Sequence, residues 1–235
     1  MKTMVEIRMR MWYNHFTNLE QTEVSFMSNN VITIARTYGS GGRLIGREVA
    51  AKLGYAFYDR ELIELAAKEC GFSPDFIRAN EQRATFGFFA NLASQGFSYS
   101  KDTLPPTDMV FVAQCKVIQD VAAKENCVIV GRCADYVLRD LDTCLHVFIR
   151  STPEDARHRV TTYYGVSADK AENEIKRINR QRAAHCRRYT DRVWGAAENY
   201  DMTLNTARFG VDGCTDLICR AADRAFAPGN EDVVY

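Results

Sequence analysis

The segment VITIARTYGSGGRLIG, residues 31–46, limits the possible folds more than any other part of the chain. Val31, Ile32, Thr33 and Ile34 are apolar or β-branched and predict a short buried strand. Gly39-Ser40-Gly41-Gly42 follows, and then a helix that buries Leu44, Ile45, Val49 and Leu53. Glycines let the backbone approach an anion closely, and a helix start offers unpaired N–H groups and the positive end of a dipole. The segment therefore has the outline of a phosphate cradle. The competing reading is a tight strand-to-helix turn that binds nothing. Three glycines within four residues favour the cradle.

The rest of the chain alternates in kind. Short apolar runs predict further strands over 55–58, 127–130, 145–149 and 200–205. Helical patterns cover 43–53, 109–124, 134–139 and 212–225. Thr152-Pro153-Glu154-Asp155 opens another helix, with the hydroxyl as cap and acids in the first turn. Ser167 is the expected cap of a long helix reaching about Tyr189. Asp59 can cap a helix carrying Leu62, Ile63, Leu65 and Ala66, and Ser73-Pro74-Asp75 starts one that runs to about Ala84. Five strands alternating with helices predict an α/β fold: a parallel sheet covered on both faces. Residues 1–30 read as an N-terminal extension, with Met27 a candidate start, and 229–235 as a tail. Phe86–Asp108, with Phe86, Phe88, Phe89, Phe97, Tyr99 and Pro105-Pro106, reads as a mobile insertion or lid, or as a surface loop with an aromatic cluster.

Thirty basic and thirty acidic residues balance, so net charge names no partner. Their distribution does. Between Arg150 and Arg192 nine Arg and two Lys face six acids. Eight cysteines occur with no C-x-x-C pair, which gives no zinc or thioredoxin signature. Cys127 and Cys144 lie within apolar runs as small core residues, consistent with a reducing, cytoplasmic setting. No apolar run reaches membrane-spanning length, so no membrane partner is expected.

In parallel sheets, ligands bind at the carboxyl ends of strands. Those ends here carry Gly39–Arg43, Asp59-Arg60, Gly131-Arg132 and Arg150. Arginines converging beside a glycine loop predict a polyanionic ligand. Over positions 176–192, Lys176, Arg177, Arg180, Arg182, Arg187, Arg188 and Arg192 oppose only Asp191. Charge of one sign repels itself and calls for an anion. Nucleic acid is not expected, because the chain has no overall basic charge and no readable binding motif. His146 reads as a packed strand residue, His158 and His185 lack metal-ligand spacing, and Trp194 reads as a packing residue.

These residues resemble the cytidylate kinase-like branch of the P-loop nucleoside monophosphate kinases, over about Val31 to Ala225. The likeness rests on ITIARTYGSGGRLIG, FYDRELI, VIVGRCADYVL, RINRQRAAHCRRYTDRVW and YDMTLNT, in that order. It implies a three-layer, five-stranded parallel core, a helical acceptor-binding insertion at about 60–108 and an arginine-bearing lid at about 157–192. It implies phosphoryl transfer from ATP with Mg2+ to a nucleoside monophosphate, CMP-like, or a related small phosphorylated acceptor. Position by position, Gly39, Ser40, Gly41 and Gly42 fall on the phosphate loop, and Asp59, Arg60 and Arg132 on the acceptor site. Arg159 falls on the arginine that packs on the donor base, and Arg180 and Arg182 on lid arginines that close on the moving phosphoryl group.

The chain departs from the family pattern at the loop. A Walker loop, G-x-x-x-x-G-K-[ST], uses lysine on the outer phosphates and a hydroxyl on magnesium. Gly42 stands at the lysine position, Leu44 at the hydroxyl position and Arg36 at the first glycine. Arg43, one place late, is the candidate replacement cation. The acid expected after Gly131-Arg132 is Cys133, with Asp135 two residues on. A second hypothesis is therefore a non-catalytic nucleotide-binding or regulatory module on the same fold. A dinucleotide oxidoreductase is the third. Asp59 lies 18 residues past Gly41, but G-x-G-x-x-G anchored at Gly39 would need glycine in place of Leu44.

Overall fold

The computed structural model describes residues 29–59, 65 and 106–227. The expected extension before residue 29, the helices expected over 60–84 (Leu65 apart), the insertion up to residue 105 and the tail lie outside the described residues. In chain order the elements are β1 (Val31–Arg36), α1 (Gly42–Leu53), β2 (Ala56–Tyr58), α2 (Pro106–Lys124), β3 (Cys127–Val130), α3 (Ala134–Val137), β4 (Cys144–Arg150), α4 (Pro153–Tyr163), α5 (Ala171–Thr190), β5 (Met202–Asn205) and α6 (Thr206–Ala225).

The sheet runs β2-β3-β1-β4-β5, and every pairing is parallel. The strands are short and buried on both faces, which is why they read as apolar runs. Ile32 and Ile34 pack with Ile45, Val49 and Ala50 of α1 and Cys214 and Ile218 of α6. Val31, Cys127 and Ile129 face the other way, onto Val117, Ile118 and Val121 of α2. Each such side chain removed from water contributes about 1.5–3 kcal/mol. On that second face Thr33 is buried, and its hydroxyl is 2.8 Å from Nδ1 of His146. His146 is thus a packed strand residue.

The order of strands places the first loop. From β1 the chain passes to β2 on one side, and after β3 it crosses to β4 on the other. β1 is therefore the switch point, where a crevice opens at the carboxyl edge. Register lines up the strand ends there: Ile34 lies opposite Val130 and Val147, and Arg36 opposite Ile149.

Several boundaries differ from expectation. The hydroxyl of Thr152 caps α4 through the Asp155 N–H at 3.3 Å, as expected. Ser167 does not cap α5. Its carbonyl accepts from Lys170 N at 3.0 Å in a turn, and the helix starts at Ala171. α6 starts at Thr206 rather than 212, capped by the Asn205 side chain through Ala207 N, and is broken at Gly210 (φ 69°, ψ 179°). The periodic pattern becomes readable only past that break. α2 begins at Pro106, where a missing N–H costs a helix nothing. Among the described residues no helix is long and apolar enough to cross a membrane.

Candidate active site

The loop between β1 and α1 is tied down at each step. Thr37 N donates to Ile149 O at 2.9 Å, and Tyr38 N donates to Oδ1 of Asn179 on α5 at 2.8 Å. The Ser40 hydroxyl donates to Thr37 O at 2.8 Å. Gly39 (φ 81°) and Gly41 (φ 77°) both hold the left-handed conformation that glycine alone adopts freely. A Cβ on Gly39 would lie 2.8 Å from the Ala156 carbonyl oxygen of α4. Gly41 is the N-cap of α1, with its carbonyl accepting from Ile45 N at 3.0 Å. The first-turn N–H groups of α1 have no intrahelical acceptors and lie at the positive end of its dipole. The backbone bend expected to form the cradle is thus present, with Gly39–Gly42 buried.

Arg159 of α4 covers this cradle. Its guanidinium carbon lies 3.3 Å from where a Cβ on Gly41 would sit. Its Nε is buried and has no hydrogen-bond partner, and Nη2 is 3.7 Å from Asp155. A buried guanidinium N–H with no acceptor costs stability, and an anion in the cradle would satisfy it. Arg159 is placed against Gly41 of the glycine loop.

Asp59, at the end of β2, collects three arginines. Arg132 Nη1 donates to Oδ1 at 2.9 Å, Arg43 Nε donates to Oδ2, and Arg36 Nη2 is 3.9 Å away. Burial pushes the Asp59 carboxyl up, but the charges of Arg132 and Arg36, the Arg132 hydrogen bond and Arg43 outweigh it and hold the pKa below the usual value. The carboxylate is held by arginines, and the helix expected to start after it lies outside the described residues. Arg132 (φ 53°) and Cys133 (φ 54°) are both left-handed without being glycine. Such positions cost on the order of 1–3 kcal/mol each and persist where surroundings enforce them. Here the bend turns Arg132 back onto Asp59 and the Val130 carbonyl, 3.3 Å away.

A cavity of about 290 Å³ opens beside this cluster. Arg36, Arg132, Arg177 and Arg182 line it together with His185 and Asp135. Arg182 donates to the Arg36 carbonyl at 2.8 Å and lies 5.7 Å from the Tyr38 ring centre. Burial lowers its pKa to about 10, so it stays charged at neutral pH. Burial, with Arg132 and Arg188 nearby, lowers His185 to about 4 and keeps it neutral. Burial raises the Asp135 carboxyl to about 6. A second cavity, of about 790 Å³, touches the loop through Thr37 and Tyr38 and is walled by α4 and α5, including Arg157, His158 and Lys176.

The arginine-rich helix is less unbalanced than its sequence implies. Arg177 is paired with Glu174, Lys176 with Glu172, Arg187 with Asp191 and Arg188 with Asp108 of α2. Glu172 and Glu174 lie one turn before their partners, just ahead of the 176–192 run, Asp191 lies one turn after Arg187, and Asp108 comes from another element. Arg182 and Arg177 reach the cavity, whereas Arg180 is exposed and lines neither cavity. Arg60 lies outside the described residues. Arg36 was not among the sequence candidates. Its signal was present as the departure from glycine at the loop's first position.

The described residues do not fit a resident magnesium ion. Counted from Arg36, the hydroxyl position falls on Arg43, one before Leu44; Arg43 pairs with Asp59, and the Leu44 side chain has no oxygen. The Ser40 hydroxyl is held by Thr37, the Asp59 carboxylate is held by arginines, and no cluster of His, Cys, Asp and Glu suited to a metal occurs among the described residues.

A parallel five-stranded sheet, with a glycine loop entering a helix at its switch point, defines a P-loop kinase-type fold. Residues 31–208 match the cytidylate kinase-like family as a whole, and the chain belongs to that family. A solved structure of an uncharacterized protein from Eubacterium ventriosum ATCC 27560 is similar at 25% identity and TM-score 0.64, over 83% of this chain and 99% of that one. Shikimate kinase from Bacteroides thetaiotaomicron is similar at 14% identity and TM-score 0.48, over 83% of this chain and 98% of that one. No curated protein matches the chain.

Proposed function

We propose that the protein is a phosphotransferase that moves a phosphoryl group from ATP to a nucleoside monophosphate, CMP-like, or a related small phosphorylated acceptor. The observation that carries this reading is the cavity that four arginines line at the end of β1, where the chain enters the glycine loop; a second cavity reaches Thr37 and Tyr38 of that loop. The donor phosphates lie on the N–H groups of the loop and α1, and the orphaned Nε of Arg159 meets them from α4. The donor nucleoside takes the larger cavity, whose volume suits a ligand of that size. The acceptor phosphate takes the arginine cavity, held by Arg132 and Arg182.

In the transfer, an acceptor phosphate oxygen forms a bond to the donor's terminal phosphorus, and the bond from that phosphorus to the bridging oxygen breaks. The electron pair leaves with ADP. An ionised phosphate acceptor has no proton to lose, so no general base is required. Positioning and positive charge carry the catalysis. Magnesium enters with ATP as part of the substrate, coordinated by the nucleotide's own phosphates.

The test is ADP formation with ATP-magnesium and a panel of nucleoside monophosphates. Turnover of one of them above background supports the reading. The alternative, a non-catalytic nucleotide-binding module, is favoured by the internal commitment of Ser40 and Asp59. Nucleotide-dependent stabilisation with no turnover on the whole panel would decide for it.

A further inference from the structure

The loop has no side chain at the lysine position, and the packing shows why. A Cβ on Gly42 would lie 2.7 Å from Cβ of Arg36 and 3.1 Å from its Cγ. Those atoms are the root of the arginine side chain, which cannot swing aside as a tip can. Gly42 is not in the left-handed region, so its backbone does not call for glycine; the neighbour does. The far end of the same side chain reaches the turn after β3. A Cβ on Gly131 would fall 1.9 Å from Nη1 of Arg36. Arg36 thus runs from above Gly42 to the Gly131-Arg132 turn, and its head lines the arginine cavity. The Arg182 hydrogen bond to the Arg36 carbonyl fixes the backbone from which it springs. Arg43 lines neither cavity: it pairs with Asp59 more closely than Arg36 does and is 40% exposed.

We propose that Arg36 is the phosphate-binding cation of the loop, the charge of the absent lysine moved from the helix start to the strand end. The proposal rests on the reading of the loop as a phosphate site. It explains two sequence departures together: arginine in place of the first glycine and glycine in place of lysine. A guanidinium spanning loop and cavity can engage oxygens of both the donor and the transferring phosphate, which a compact ammonium does less well.

The test moves the charge back. Wild type, Arg36→Met, Arg36→Lys and the double variant Arg36→Gly/Gly42→Lys are titrated with ATP-magnesium and with inorganic tripolyphosphate by calorimetry, after circular dichroism and thermal unfolding establish that each is folded. Arg36→Met is expected to lose on the order of tenfold or more in affinity for both probes and on the order of 100-fold in turnover. Arg36→Lys is expected to fall between it and wild type, which serves if the methionine variant does not fold. The double variant is expected to regain most of the tripolyphosphate affinity. Binding by Arg36→Met equal to wild type would overturn the inference while leaving the nucleotide site intact. Loss without recovery in the double variant would overturn it too, making Arg36 a support for Asp59 only. A wild-type protein that binds neither probe would bring down the reading of the site itself.

Discussion

Replacing Asp59 by asparagine keeps the shape of the side chain and removes the charge that three arginines share. Arg132 is 12% exposed and Arg36 19% exposed, so neither can escape to water, whereas Arg43, at 40%, can turn outward. Removing one partner of a buried pair costs about 3–5 kcal/mol. With one arginine free to leave, the lower end applies, about 3 kcal/mol, or roughly 6–12 °C in Tm for a chain of this size. The loss depends on pH. The carboxyl pKa is held below its unfolded value, so its contribution is present above about pH 4 and disappears as pH falls through the lower folded pKa. The gap between wild type and Asp59→Asn in denaturant unfolding is therefore expected to close in acid. Inorganic phosphate supplies the missing negative charge, so it is expected to raise the Tm of Asp59→Asn more than that of wild type. A variant within about 1 kcal/mol of wild type at neutral pH, or one that gains nothing extra from phosphate, would refute the reasoning.

Two other groups give pH-dependent signatures of opposite sign. His185 has a folded pKa of about 4, so between there and its unfolded value of about 6.5 it makes stability rise with pH; Asp135, raised to about 6, makes stability fall with pH above its unfolded value of about 3.8. Unfolding curves from pH 4 to 6 should show His185→Gln less stable relative to wild type as pH rises, and Asp135→Asn more stable. Equal slopes in all three proteins would contradict the burial of these groups. Arg159→Met removes the orphaned buried Nε and should leave the Tm of the ligand-free protein unchanged or raised, while ATP affinity by calorimetry drops on the order of tenfold. Unchanged ATP affinity would take Arg159 out of the site.

Much of the architecture was legible because strands buried on both faces leave apolar runs and because glycines punctuate a strand-to-helix turn. The strands over 31–35 and 127–130 can be read from those signals alone, and the first runs one residue further, to Arg36. The site was legible in outline, since each strand end could be inspected for charge. What the sequence hid was pairing. The partners of Arg177 and Arg188 are Glu174 and Asp108, and only the fold brings Asp108 to α5. Arg36 reads in the sequence as a missing glycine rather than as a cation, because its role depends on its side chain passing over Gly42 toward Gly131. The nearness of Arg159 to Gly41 is hidden in the sequence for a similar reason. Its distance to Gly41 is set by how α4 packs on the loop, which periodicity does not encode.

The central claim is that the glycine loop and the arginine cavity hold linked phosphates as one continuous site. A compound joining ATP and CMP through their phosphates tests it most directly, with its affinity measured by calorimetry against those of ATP and CMP separately. If the two sites are continuous, the joined compound binds at least about 100-fold tighter than either half, because the second contact becomes intramolecular. Arg132→Met and Arg159→Met should each reduce that advantage. An affinity no better than that of ATP alone would show that loop and cavity do not form one site, and would contradict the account.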